Sequence, residues 1–424
     1  MRSLSVLILA LLGLVALSQS GAAADQIVDG VPLPSDANLA PTTAFETSLQ
    51  RQWVGPWIGS WGETLKHLLL VESVAPNGIA QVVYAIGDNP ALSIRRRWIR
   101  HNAVVSERSL TISDTGFSAT YEARDGNRLL ATFVRGPIRS RAMMARANLP
   151  TLTTPGAAID WTIGETLFLH TDLVEDDHPI RLETVIFKPT GTGPFPLAVI
   201  NHGSTGDGTN PALFRDTWFD IGLADFLNQH GWMAAFPQRR GRGKSDGLYD
   251  EGFSLDRAGG YTGDTDQSLA GAERALRDIE AAVGALRRLP DVASSRILIG
   301  GQSRGGVLSV AYSGKHPEEI AGVINYVGGW LGDHRATAKI INQTLFKQGA
   351  RFARPTLWLY GRHDPFYTIS HSQENFAAFQ EAGGQGTFLD FDVPDGNGHR
   401  LIGYSQLWSG PVGDYLKLLA VPEK

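Results

Sequence analysis

Apolar and polar residues alternate along this chain with two different periods. Between Trp53 and Arg146 the apolar positions fall in short β-like runs. The runs are Thr64–Val74, Ile79–Ile86, Ser93–Val105, Ser109–Ser113, Phe117–Ala123, Arg128–Val134 and Arg139–Ala147. Turn-forming clusters separate them, such as Pro76-Asn77-Gly78, Asp114-Thr115-Gly116 and Asp125-Gly126-Asn127. Closely spaced hairpin-like runs of this kind predict an antiparallel barrel or sandwich. Trp53, Trp57 and Trp61 recur at every fourth position just before them. These rings are expected to plug one end of a barrel, with an aromatic binding platform for sugar or acyl groups as the alternative.

From residue 161 the pattern changes. Two antiparallel strands are expected at Ile163–Thr171 and Leu182–Lys188. Parallel strands follow near 197–201, 232–236, 296–300, 321–327, 356–360 and 387–393. Helical stretches intervene, clearest over Asp266–Leu289, where Leu269, Ala272, Leu276, Ile279, Val283 and Leu286 keep three- and four-residue spacing. Strand–helix alternation predicts right-handed crossovers and a doubly wound, mostly parallel sheet of the α/β class. Five segments result: a signal peptide at 1–24, an extended lead-in at 25–44, the antiparallel all-β domain at 45–148, a proline-containing linker at 149–160 and the α/β domain at 161–424.

The first segment carries Arg2, an apolar run from Leu4 to Leu17 and Ala22-Ala23-Ala24. Charged start, short apolar core and small-residue end are the marks of a cleavable secretory signal, too short for a comfortable membrane span. The expectation is a periplasmic or secreted bacterial protein with no stable membrane span after cleavage. The chain has no cysteine, so neither disulfides nor lipid attachment through a cysteine is available. A hydrophobic content of 42% across 424 residues supports two packed cores. The net charge of −5 argues against nucleic acid as a partner.

The chemistry concentrates at Arg296–Gly306. A short apolar run ends in Gly301-Gln302-Ser303-Arg304-Gly305, and a helix-compatible segment follows. A strand–turn–helix context around G-x-S-x-G is what a nucleophile elbow requires, because the flanking glycines keep side chains away where strand and helix converge. A serine hydroxyl does not ionise near neutral pH, so it needs a histidine base, and the histidine needs an orienting carboxylate. Both occur later at predicted strand ends. Asp364 follows Thr356–Tyr360, and His399 follows Phe388–Val393. The rival histidine, His371, falls in a helix-like stretch. The rival acids Asp390 and Asp392 lie inside a strand, and Asp395 lies in the loop before His399. The oxyanion of acyl transfer needs two backbone N–H donors. Arg304, after the nucleophile, and Ser204, in the loop after Leu197–Asn201, are the candidates.

Arg239-Arg240-Gly241-Arg242-Gly243-Lys244-Ser245 invites a phosphate-loop reading, but the first glycine of that motif would have to be residue 238, which is Gln238. Nucleotide binding is therefore not expected. Arg239, Arg240 and Arg242 are read as a solvated or salt-bridged surface, with contact to an acidic substrate group as the alternative. Trp218, Phe219, Phe253, Tyr261, Trp330 and Phe346 are candidate pocket walls.

Together, Asn201–Gly206, Arg239–Gly247, Gly301–Gly305, Gly361–Asp364 and Gly398-His399 resemble the α/β-hydrolase superfamily. Within it, residues 160–420 look most like the dienelactone-hydrolase-like and prolyl-oligopeptidase-like serine hydrolases. Dienelactone hydrolases proper use a cysteine nucleophile, which this chain lacks. Prolyl oligopeptidases carry a β-propeller, for which the N-terminal region is too short. The resemblance implies a Ser303–His399–Asp364 triad, no metal or organic cofactor, and an ester substrate. A short peptide is the alternative substrate, and a binding protein with a degenerate hydrolase domain is the alternative of another class. The β domain could contact polysaccharide or lipid.

Overall fold

The computed structural model describes residues 26–37, 47–62, 64–90, 93–124, 127–152, 154, 159, 161 and 163–420. The expected signal segment and residues 38–44 of the lead-in lie outside the described residues. The chain divides into two compact units between Ile163 and Gly164.

The first unit begins with a two-stranded ribbon, β1 (Gln26–Val28) and β2 (Val31–Leu33), where an extended lead-in was expected. Val28, Val31 and Leu33 are buried in one apolar cluster with Leu152 and Trp161. Leu152, inside the expected linker, and Trp161, just after it, are thus packed into the first unit. Helix α1 (Ser48–Trp53) starts at a capping box in which Thr47 and Gln50 exchange side-chain and backbone hydrogen bonds.

Eight antiparallel strands then close a barrel: β3 (Gly55–Trp61), β4 (Leu65–Val74), β5 (Ile79–Ile86), β6 (Arg97–Val105), β7 (Ser109–Asp114), β8 (Phe117–Arg124), β9 (Arg128–Arg135) and β10 (Ile138–Arg146). Each strand pairs with its neighbour in sequence, and β10 closes on β3 through Met144 opposite Gly59. A Cβ at Gly59 would lie 2.4 Å from the Met143 carbonyl oxygen, so closure at this spacing needs glycine. Strand β3 is absent from the sequence-based expectation. Its seven residues are all buried and show no polar alternation. The three tryptophans belong to the barrel's core, with the Trp53 and Trp57 indole N–H groups bonded to the Ser106 and Trp53 carbonyls. That burial removes them as an exposed binding platform.

The second unit holds an eight-stranded sheet in the order β11-β12-β14-β13-β15-β16-β17-β18. Its strands are β11 (Glu165–Glu175), β12 (His178–Phe187), β13 (Phe195–Asn201), β14 (Met233–Pro237), β15 (Val292–Gln302), β16 (Gly322–Tyr326), β17 (Thr356–Gly361) and β18 (Gly386–Phe391). β12 pairs antiparallel with both β11 and β14, and every other pair is parallel. Crossover helices include α2 (Ile221–Gln229), α3 (Thr265–Leu286), α4 (Arg304–Lys315), α5 (Ala338–Gln348) and α6 (Ile369–Glu381), and α7 (Ser405–Ala420) follows the last strand. The longest, α3, is capped by the Asp264 carboxylate accepting from Gln267 N–H at 2.9 Å. This is the doubly wound sheet, preceded by an antiparallel barrel, that the periodicity predicts. The strand order reverses around β13, and β13, β15, β17 and β18 all point their C-terminal ends toward one edge, the place where such sheets bind ligands.

The barrel core carries a titratable group. His67 is wholly buried, with Nδ1 2.9 Å from the Ala85 carbonyl oxygen and Nε2 2.9 Å from the Tyr121 hydroxyl. The carbonyl can only accept, so Nδ1 carries the proton and Tyr121 donates to Nε2. Burial pushes the His67 pKa from 6.5 down to about 3, against the opposing pull of the Ala85 carbonyl. The unfolded chain therefore takes up a proton near pH 6.5 that the folded barrel refuses until about pH 3. The associated stability is complete above pH 6.5 and is lost as pH falls through that window. We predict a loss of about 2 kcal/mol between pH 6.5 and 5 from this group. In His67→Phe the urea midpoint of the barrel should be lower at neutral pH but flatter across the same range. Equal slopes in the two proteins would contradict this assignment.

Candidate active site

Ser303 sits between β15 and α4 with φ 56° and ψ −122°. A non-glycine residue there is strained by about 1–3 kcal/mol. The surroundings leave it no alternative. Ser303 N–H donates to the Tyr326 carbonyl at 3.0 Å, and its own carbonyl accepts from Gly306 and Gly329 N–H at 2.9 and 3.2 Å. A Cβ on Gly301 or Gly305 would lie 2.5 or 2.0 Å from the Asn201 carbonyl oxygen at the end of β13. Both glycines are needed because α4 leaves the sheet directly against its neighbouring strand.

Asp364 lies three residues beyond β17, after His363, which itself has φ 60°. Its Oδ1 accepts from the Phe366 and Tyr367 N–H groups at 2.8 and 3.2 Å. Its Oδ2 lies 2.8 Å from His399 Nδ1. The Asp364 side chain is fully buried, whereas that of His399 is 18% exposed. The loop after β18 places His399: its N–H donates to Asn397 Oδ1, and its carbonyl accepts from Gln302 Nε2 at 2.9 Å. Gln302 precedes Ser303, so the histidine loop is tied to the elbow itself. His371 lies in α6 with Nε2 3.0 Å from Asn342 Nδ2. Asp390 and Asp392 bind Arg362, and Asp395 binds Arg400. None of these rivals pairs with His399 among the described residues.

The loop after β13 passes close to Ser303. A Cβ on Gly203 would lie 3.1 Å from the serine Cβ and 3.6 Å from its Oγ. Ser204 follows, its hydroxyl donating to the Gly206 carbonyl at 3.3 Å. The loop is held from beneath by His202. Arg239 N–H donates to His202 Nε2 at 3.1 Å, which leaves Nδ1 as the protonated nitrogen, donating to the Gly203 carbonyl at 2.8 Å. Burial, then the charges of Arg239 and Arg242, push the His202 pKa well below its usual value and keep the ring neutral.

Arg239 and Arg240 are salt-bridged, one of the two expected alternatives, but they are buried where a surface was expected. Arg239, Arg240 and Arg242 are 2%, 5% and 4% exposed and do not form a solvated surface. Arg240 pairs with Asp278 of α3 at 2.6 Å. Arg239 Nε donates to Glu251 Oε1 at 2.5 Å, and its two terminal nitrogens each reach the His202 carbonyl at 3.0 Å. Glu251 also faces Arg304, whose Nη1 donates to the Glu251 carbonyl at 2.8 Å. The Arg304 guanidinium lies 3.7 Å from the Tyr261 ring centroid and 4.1 Å from that of Trp330. Burial opposes ionisation of Glu251, yet Arg239 and Arg304 outweigh it and hold the carboxyl below its usual pKa. One buried carboxylate thus links Arg304, the residue after Ser303, to the loop beside it. Tyr261 completes the link: its hydroxyl accepts from Thr205 N–H at 3.2 Å and lies 2.6 Å from the Tyr249 hydroxyl.

Of the candidate pocket walls, Tyr261 and Trp330 stand beside the elbow through Arg304, whereas Phe219 packs on Phe187 and Phe346 on Trp358 in the core. Three site neighbours escaped sequence reasoning. Glu251 lies in a loop without periodicity. Tyr367 donates to the Gly329 carbonyl at 2.7 Å, and its ring centroid lies 5.7 Å from that of His399. Phe366, 40% exposed, sets its ring 4.7 Å from that of His399. The sole signal was their proximity to motif residues, Phe366 and Tyr367 lying two and three positions past Asp364.

A strained serine at a sheet edge, on an elbow tied through Gln302 to the loop whose histidine bonds a buried carboxylate, marks a serine hydrolase of the α/β type. Residues 219–399 match the model of the dienelactone hydrolase family. No curated protein matches the chain. Among solved structures, the ferulic-acid-bound esterase Est1E from Butyrivibrio proteoclasticus is 17% identical, matching over 57% of this chain and 96% of that one with a TM-score of 0.41. The Pyrococcus furiosus esterase Pf2001 is 16% identical over 62% and 95%, with a TM-score of 0.42. The Porphyromonas gingivalis dipeptidyl peptidase 4 is 17% identical over 82% and 49%, with a TM-score of 0.43.

Tyr261→Phe should keep the ring under Arg304 but release Thr205 N–H. We predict a fall in kcat of about tenfold with KM nearly unchanged, because one loop hydrogen bond is worth about 1 kcal/mol and acts through geometry. Steady-state kinetics on any turned-over ester would check this, and unchanged kcat would count against the link.

Proposed function

We propose that the protein is a secreted or periplasmic serine hydrolase that cleaves a carboxylic ester through an acyl-enzyme intermediate. The observation that carries this reading is the 2.8 Å bond between His399 Nδ1 and Asp364 Oδ2, on a loop tied to the strained Ser303 turn. The secretory placement rests on residues 1–24 of the sequence.

Asp364 fixes the tautomer of His399, so that Nε2 is left to act as base. Ser303 Oγ attacks the ester carbonyl carbon as its proton passes to Nε2. The carbonyl π electrons move onto oxygen, where the backbone N–H groups of Ser204 and Arg304 receive them. Collapse of this intermediate breaks the ester C–O bond, and the alcohol departs with the proton from His399. Water then attacks the acyl-enzyme, again giving a proton to Nε2, and Ser303 recovers its proton as the acid leaves. Asp364 stabilises the imidazolium formed in each half. The exposed Phe366 ring beside His399 offers an apolar surface to the substrate. An ester is favoured over a peptide because its leaving group needs less protonation before departure.

The test compares a short-chain p-nitrophenyl ester with a prolyl p-nitroanilide, on wild type and Ser303→Ala. The expected result is ester cleavage without anilide cleavage, reduced at least about a thousandfold in the variant. Anilide cleavage lost in the variant would reassign the protein as a peptidase. Ester turnover retained by Ser303→Ala would refute the mechanism.

A further inference from the structure

Residues 327–331 follow β16 without regular structure, yet all five are buried. Buried irregular backbone must find partners for its polar groups. Here side chains supply most of them. The carbonyls of Gly328, Gly329 and Trp330 accept from the Tyr360 hydroxyl at 2.8 Å, the Tyr367 hydroxyl at 2.7 Å and Arg304 Nε at 3.1 Å. Asn342 of α5 adds three more bonds. Its Oδ1 accepts from the Trp330 and Leu331 N–H groups at 2.8 and 3.1 Å, and its Nδ2 donates to the Leu331 carbonyl at 2.9 Å. The segment opens on Val327 at φ 44°, a left-handed conformation that a β-branched residue adopts only under constraint. This strap lies against the elbow. Gly329 N–H donates to the Ser303 carbonyl at 3.2 Å. Tyr367, which holds Gly329, also donates its own N–H to Asp364 Oδ1 at 3.2 Å. The strap is thus bonded to Ser303, to Arg304 and, through Tyr367, to Asp364.

Asn342 Nδ2 also lies 3.0 Å from His371 Nε2, on α6. The amide orientation is fixed, because the Trp330 and Leu331 N–H groups can only donate and so must face Oδ1. Nδ2 therefore donates to Nε2, and His371 accepts only while that nitrogen carries no proton. A protonated ring would set two donors against each other. Asn342 is wholly buried and tied to the strap on its other side, so it has nowhere to turn. Three charged groups act on the ring: Asp333 just beyond the strap, Glu374 on α6 itself and Lys339 on α5, the last two paired at 2.8 Å. Burial lowers the His371 pKa most, Asp333 and Glu374 oppose it, and Lys339 lowers it further. The ring is therefore neutral at neutral pH and takes up its proton only in acid.

Given the Ser303 hydrolase reading, on which this depends, we propose that Asn342 and neutral His371 are positioning residues for the Ser303 elbow, and that protonation of His371 loosens the strap and slows reaction at Ser303. His371 then has a part in the reaction without being its base: it acts through Asn342 on the backbone that holds the serine.

The rate of Ser303 labelling by a fluorophosphonate, followed from about pH 8 to about pH 4.5, tests this on wild type, His371→Gln and His371→Phe. Glutamine keeps an acceptor for Asn342 but does not titrate, whereas phenylalanine removes the acceptor. Near pH 8 the glutamine variant should label within about twofold of wild type, and the phenylalanine variant at least about fivefold more slowly, the effect of one lost hydrogen bond. All three proteins share the acid limb of His399. Toward pH 4.5 wild type should fall further, to the rate of the phenylalanine variant, leaving the glutamine variant the fastest by at least about threefold. Imidazole nitrogen NMR near pH 8 should show His371 neutral, with its proton on Nδ1. The inference is overturned, with the hydrolase reading left standing, by superimposable profiles for wild type and the glutamine variant, by a phenylalanine variant as fast as wild type near pH 8, or by a proton on Nε2 of His371. Absence of wild-type labelling at Ser303 would instead sink the hydrolase reading, and this inference with it.

Discussion

At Ser303 the backbone is turned to φ 56° and ψ −122°, and this edge of the sheet is arranged around holding it there. The strain is small beside the contacts that oppose its release. Unwinding the turn would break the Ser303–Tyr326 backbone bond and the bonds to the serine carbonyl from Gly306, Val307 and Gly329. It would also part α4 from β13, where Gly305 and the Asn201 carbonyl meet too closely for any side chain. The serine is therefore presented by packing of the main chain and needs no ligand to arrange it. The same contacts bring the loop after β13 alongside it, so Ser303 and that loop are positioned by one junction.

Beneath that junction lies a dense set of buried charges. Arg239, Arg304 and Arg242 surround Glu251, and Arg240 pairs with Asp278. Buried ion pairs seldom add net stability, because desolvation cancels most of the attraction, but losing one partner is costly. Their value here is geometric. Arg239 grips the His202 carbonyl while Arg304 leaves the elbow, and both end on Glu251. Neutral His202 is part of the same arrangement, since its tautomer is set by the Arg239 amide.

The parts of this arrangement that could be read from sequence are those governed by local rules. The Gly301–Gly305 turn announces itself because glycines must flank a strained serine between strand and helix. The α/β alternation is visible because each parallel strand is a short apolar run and α3 keeps a helical period. The chain order of Ser303, Asp364 and His399 follows from the strand ends. What stayed hidden depends on contacts between distant segments. Glu251 joins Arg239 and Arg304 across more than fifty residues of chain. Strand β3 is buried along its whole length, so the two-residue alternation that marks a barrel strand is missing. The RRGRG loop reads as a polar surface by composition, and only the fold shows that its arginines turn inward.

The central claim is that Ser303, activated by His399, is the nucleophile. The most direct measurement is reaction with a fluorophosphonate followed by peptide mass spectrometry, on wild type and His399→Ala. The account predicts a single adduct, on Ser303, forming at least about a hundredfold more slowly in the variant. An adduct on another residue, or equal labelling rates in the two proteins, would contradict it.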